Sequence, residues 1–100
     1  MVGGNTSGQG NFASLLDVLG HRWALRVVWV LRDGALPFNQ LRVQAGGMSQ
    51  SVLVTRLAEL IDIRLVRDVP AGGYELTDSG IGVARQLHAL ADWWAAAPAG

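Results

Sequence analysis

The stretch that most constrains this chain is "GGMSQSVLVTRLAEL", residues 46–60. Two adjacent glycines force a turn. Ser49 then offers a hydroxyl that can accept from a free N–H of a first helical turn. Leu53, Leu57 and Leu60 recur at helical spacing. The pattern predicts one helix running from a Ser49 cap to about Asp62, with a single apolar stripe. A shorter helix, "QLRVQA", precedes the glycines, and Asn39 is its expected N-cap.

The flanks fill in around this pair. Asn11 is placed to cap "FASLLDVL", and Gly20 to stop it. A second helix is expected from about Arg22 to Arg32, with Trp23, Val27, Val30 and Leu31 on its core stripe. "LPF" at 36–38 is too short for an independent strand but can add one edge pairing. After Asp62 the period changes: "RLVRDV" alternates as a strand does, "PAGG" is a turn, and "GYEL" is a second short strand. Thr77 or Asp78 caps a last helix reaching about Ala97, with Val83, Leu87, Leu90, Ala91 and Trp94 along one stripe. The expected class is mainly α with a small β-hairpin. Two helices on a glycine turn followed by a hairpin describe a winged helix-turn-helix. One domain is expected over residues 11–97, after a flexible polar tail at 1–10 and before a frayed end at 98–100.

Composition narrows the chemistry. The chain has no cysteine, which excludes disulfides, thiol sensing and cysteine-ligated metals. No apolar run approaches the roughly 18–20 residues that span a bilayer. The first residues carry neither a basic nor an apolar segment of a leader, so a cytoplasmic location without membrane partners is expected. The basic residues number 8, all arginine, against 8 acids. A non-specific nucleic-acid coat would be basic overall. His21 and His88 have no ligand neighbours at metal spacing, so structural roles are expected and no metal or cofactor is assigned. Neither a G-x-S-x-G elbow, a phosphate loop nor a paired His-Glu motif occurs, and an enzyme is not expected.

From about Asn11 to Trp94 the chain resembles the HxlR-type winged helix-turn-helix regulators. The resemblance rests on "LDVLGHRW" (16–23), "PFNQL" (37–41), "GGMSQSVLVTRLAEL" (46–60), "LV" (65–66) and "YELTDSG" (74–80), in order and in register. It implies a homodimeric transcription factor whose partner is double-stranded DNA, dimerising through its first and last helices. Carried over by position, Asn39, Gln40, Arg42, Ser49, Gln50, Ser51, Thr55, Arg56 and Arg67 are the implied DNA-binding residues. Phe12, Leu15, Leu87, Leu90 and Trp94 are the dimer candidates. Several departures from the pattern remove positive charge: Ser51 stands in place of a usual lysine, Ala58 of an arginine, and Asp68 and Ser79 of basic residues. Gly10 stands where many members carry a sensing cysteine. Arg64 replaces the glycine that usually follows the recognition helix.

With the leucines inward, a rotation of about 100° per residue turns Ser51, Val54, Thr55, Ala58 and Asp62 outward. That face offers hydroxyls and a Val54 contact to a thymine methyl, but not the arginine–guanine pair that is the commonest specific contact. Gln50 can read adenine if its side chain turns into the groove. Arg56 is expected to pair with Glu59 at i+3. On the second helix, Trp29 falls opposite the core stripe beside Arg22 and Arg26, and an Arg26–Trp29 stack is expected. With Trp93 these residues form a candidate site for a small-molecule effector. Two readings follow: a dimeric DNA-binding regulator under effector control, or a winged-helix dimer that has lost DNA binding and acts as an accessory to a small molecule or protein.

Overall fold

The computed structural model describes residues 11–98. The expected tail at 1–10, Gly10 included, and the last two residues lie outside the described residues. The elements run α1 (Phe12–Leu19), α2 (Ala24–Val30), a 3-10 turn (Leu31–Asp33), α3 (Phe38–Gln44), α4 (Gln50–Asp62), β1 (Val66–Asp68), β2 (Tyr74–Leu76) and α5 (Asp78–Ala96).

The caps explain most boundaries. The Asn11 side chain accepts from the Ser14 N–H at 3.2 Å and starts α1. Ser49 accepts from Val52 N–H at 3.2 Å and starts α4, as its sequence predicts. Thr77, rather than Asp78, caps α5 through Gly80 N–H at 3.1 Å, and its hydroxyl also donates to the Arg64 carbonyl at 2.5 Å. One residue thus fastens the last helix to the end of α4.

Two starts differ from expectation. Asn39 does not cap α3. The helix begins at Phe38, behind Pro37 in an extended conformation at φ −63° and ψ 156°. Proline has no N–H to leave unpaired, and the Phe38 ring is drawn in against Tyr74, with centroids 6.4 Å apart. Helix α2 begins at Ala24 rather than Arg22, because Trp23 takes a left-handed backbone at φ 79°. That conformation lays its indole over Gly46, where any Cβ would stand 2.4 Å from Trp23 Cζ3. The tryptophan therefore ties the start of α2 to the turn between α3 and α4, at a local backbone cost of roughly 1–2 kcal/mol. The stripe of α2 shifts accordingly. Ala24, Val27, Val28 and Leu31 are buried, while Trp23 and Val30 are half-buried.

Helix α4 ends in the left-handed turn that glycine usually makes, although Arg64 stands in its place. Arg64 holds φ 64°, and Leu65 N–H closes onto Leu60 O at 2.9 Å, the long bond of a helix-ending left-handed turn. The strands β1 and β2 pair antiparallel with Val66 opposite Leu76 and Arg67 opposite Glu75. Leu36 adds the edge pairing read from "LPF", exchanging two 3.0 Å bonds with Tyr74. The core joins Val27, Val28 and Leu31 to Leu41 and Ala45 of α3. Leu53, Leu57 and Leu60 of α4, Val66 and Leu76 of the hairpin, Met48, Leu65 and, from α5, Ala84 complete it.

The first and last helices contribute little to that core. No residue of α1 is buried, and Phe12 is 69% exposed. In α5 only Gly80 and Ala84 are buried, Val83 and Leu87 are half-buried, and Leu90, Trp93 and Trp94 lie exposed. Trp93 and Trp94 sit with ring centroids 6.3 Å apart on the free end of the helix.

Candidate nucleic-acid interface

Helix α4 is held by its buried leucines and shows its other side to solvent. Gln50, Ser51, Val54, Thr55, Ala58 and Asp62 are all exposed, in agreement with the rotation read from the sequence. The hydroxyls on this face are largely committed to the helix itself. Thr55 Oγ1 donates to the Ser51 carbonyl at 3.0 Å, and the Ser49 and Ser51 hydroxyls lie 3.3 Å apart.

The arginines around it are committed as well. Arg42 donates to the Met48 carbonyl at 3.1 Å and so braces the turn before α4. Arg56 bonds Glu59 at 2.6 Å, with only 19% of its side chain exposed. The Nε atoms of Arg42 and Arg56 are buried without a hydrogen-bond partner among the described residues. Both guanidinium groups are therefore partly turned into the domain and engaged there. The resemblance implies DNA contact for both, and the structure gives each a bracing hydrogen bond within the domain. Arg67 donates to Glu75 at 2.7 Å across the hairpin, although two thirds of its side chain remains exposed.

Glu59 serves two donors. His21 Nδ1 lies 2.9 Å from the oxygen that also receives Arg56. The His21 hydrogen bond holds the Glu59 carboxyl below its ordinary range; burial opposes this, and the Arg56 charge assists it. This link between the α1–α2 turn and α4 was not legible in the sequence, since 38 residues separate the pair. Arg64 was not among the residues carried over to DNA. It is exposed at the exit from α4, and no ion pair engages it among the described residues.

The candidate effector residues divide. An open groove of about 440 Å³ between α2 and α5 is lined by Leu25, Arg26, Trp29, Leu87, Leu90, Ala91 and Trp94. Arg22 and Trp93 are not in its wall. The expected Arg26–Trp29 stack does not form. Arg26 lies over Trp23 at 5.8 Å and Arg22 over the same ring at 4.8 Å, whereas Arg32 covers Trp29 at 4.0 Å. Helical side chains lean toward the N-terminus, so an arginine reaches the aromatic three residues before it, not three after. His88 meets the Trp29 ring at 5.6 Å. Among the described residues no three His, Cys, Asp or Glu side chains gather as a metal site, and no helix is long and apolar enough to cross a membrane.

Residues 18–98 match the HxlR-like helix-turn-helix family. The chain belongs to that family. It is 33% identical over 86 residues to an uncharacterized HTH-type transcriptional regulator, YtfH, of Escherichia coli, a match spanning 77% of this chain and 68% of the relative. Its fold superposes on quinone-bound YodB from B. subtilis with a TM-score of 0.74 at 28% identity, covering 82% of this chain and 92% of that one. YtfH from Salmonella typhimurium gives a TM-score of 0.70 at 31% identity, covering 91% and 88%. HxlR-like membership makes α3 and α4 the helix-turn-helix pair, and β1–β2 the wing. It places this chain among winged-helix transcriptional regulators, a family of DNA-binding proteins.

Proposed function

We propose that this HxlR-like chain works as a homodimeric, cytoplasmic transcriptional regulator, with residues 11–97 as its folded unit. Each α4 enters a major groove, and each wing lies along the backbone. The observation that carries the reading is the exposed Gln50–Ala58 face, on a helix whose other side is locked into the core by Leu53, Leu57 and Leu60. Ser49, Gln50, Ser51 and Thr55 meet the groove. Asn39 and Gln40, exposed at the start of α3, and Arg67 on the wing approach phosphates. Phe12 and Leu15 of α1, with Leu87, Leu90 and Trp94 of α5, form the dimer contact. The accessory reading is the weaker one, because the relatives named above are regulators.

Few cations remain to neutralise phosphates, so binding should depend only weakly on salt. Fluorescence anisotropy on a specific duplex is expected to give a log–log salt slope of about −2 to −4 for the dimer. A slope near about −8 would mean many phosphate contacts and would contradict the arginine geometry.

The groove between α2 and α5 is where an effector fits. A planar aromatic compound would lie against Trp29 with Leu87 beneath, closed on its outer side by the partner. The quinone held by YodB is a molecule of that shape, and without cysteine this chain would hold one noncovalently. Addition of 1,4-naphthoquinone should quench tryptophan fluorescence, and Trp29→Phe should abolish the saturable part. An undiminished saturable quench in Trp29→Phe removes the groove from consideration.

A further inference from the structure

Toward solvent, α4 presents methyl groups where a reader of guanine presents a guanidinium. Val54, at the middle of the face, is 56% exposed. The Thr55 hydroxyl is turned back onto the Ser51 carbonyl at 3.0 Å, which leaves the Cγ2 methyl as the outward part of that side chain. Ala58 stands one turn beyond Val54 and is exposed. At about 100° per residue, Val54, Thr55 and Ala58 share an arc of about 100° on the helix. The hydroxyl and arginine groups nearby already have partners. Ser51 faces the Ser49 hydroxyl, which already accepts from Val52 N–H. Arg42, Arg56 and Arg67 are held by Met48, Glu59 and Glu75.

We infer that this helix selects its site through the C5 methyl groups of thymine, met by Val54, Thr55 and Ala58. The operator half-sites are then rich in A·T pairs at the positions under α4. In the major groove, thymine is the one ordinary base that carries a methyl. Gln50, exposed at the edge of the same face, reinforces the choice, since a glutamine amide pairs with the N6 and N7 edge of adenine. The discrimination comes from burying methyl against methyl, so it adds affinity without requiring a cation. The inference rests on the DNA-binding reading and specifies what that reading recognises.

Deoxyuridine tests it, because it keeps every hydrogen-bonding group of thymine and lacks only the methyl. Duplexes are first selected from a random pool by the purified full chain. Each thymine of the selected site is then replaced singly by deoxyuridine, and binding is measured with the native chain and with Val54→Ala. The native chain should bind about fourfold more weakly for each contacted methyl removed. Val54→Ala, an exposed change that leaves the core intact, should lose about that factor in each half-site, and deoxyuridine at the Val54 contact should cost the variant nothing further. Undiminished binding to the fully deoxyuridine-substituted site overturns the inference and leaves the DNA-binding reading standing. An equal deoxyuridine loss at every position in the native chain and Val54→Ala also overturns it, because the effect would then come from DNA shape. Failure of the folded chain to select any duplex overturns both.

Discussion

Gly80→Ala should strongly destabilise the domain. Gly80 is buried in the first turn of α5, and a Cβ there would lie 2.0 Å from the Leu65 carbonyl oxygen, 3.0 Å from its carbon and 3.1 Å from Leu76 Cβ. The obstruction is mostly backbone, so no rotamer change can relieve it. That same carbonyl accepts from Thr77 N–H at 3.0 Å, and Thr77 caps the helix through Gly80. Relief requires α5 to move off the hairpin, which breaks the cap and the bond together. Forced overpacking costs about 1–3 kcal/mol even where side chains can yield. Here the cost should exceed about 3 kcal/mol, a large share of the roughly 5–15 kcal/mol that holds a small domain together. The melting temperature followed by circular dichroism should fall by more than about 12 °C. Gly82→Ala is the contrasting change. Its Cβ meets nothing within 4 Å, so the better helix former should stabilise α5 by about 0.5–1 kcal/mol. Similar melting temperatures for the two variants would mean that α5 does not press on Leu65 as described.

Leu90→Asp with Trp94→Asp should convert a dimer into a folded monomer. Leu90 is 57% and Trp94 73% exposed, so neither change opens a cavity in the protomer's own core. With Phe12 and Trp93 they are large apolar side chains left uncovered in the protomer, the kind of surface that marks an interface. Two carboxylates placed in a desolvated contact would each need a partner that an apolar surface does not offer. Size exclusion with light scattering should show the native chain at twice the protomer mass and the double variant at the protomer mass, with matching far-ultraviolet dichroism. Affinity for a two-half-site duplex should fall more than about 100-fold, because each monomer loses the linkage that lets a second α4 bind from an already anchored partner. A monomeric native chain, or a variant that stays dimeric, would remove α5 from the interface.

The scaffold was legible because its punctuation is local. Asn11, Ser49 and Thr77 cap what they were expected to cap, and the leucine stripe of α4 faces inward. The errors arose where distant groups decide a local outcome. Asn39 lost the start of α3 to Pro37 because Phe38 packs on Tyr74, which is far along the chain. Trp23 left its helix because Gly46 makes room for its indole. The site was legible in outline but not in electrostatics. The sequence pattern gave Arg56 its partner Glu59, yet could not show that His21 shares the carboxylate or that Arg42 is turned onto Met48. Charge counts describe what a face contains, whereas hydrogen bonds decide what it can offer a ligand.

The central claim is that two copies of α4 read DNA. Its most direct test is a selection of random duplexes by the purified dimer at moderate salt, repeated with Val54→Glu. The native chain should enrich a two-fold symmetric site whose half-sites are centred about 34 Å, or one helical turn, apart. Val54→Glu, which puts a carboxylate on the exposed face without touching the core, should enrich nothing. An intact native dimer that enriches no site, or a Val54→Glu dimer that enriches the same site as well as the native chain, would contradict it.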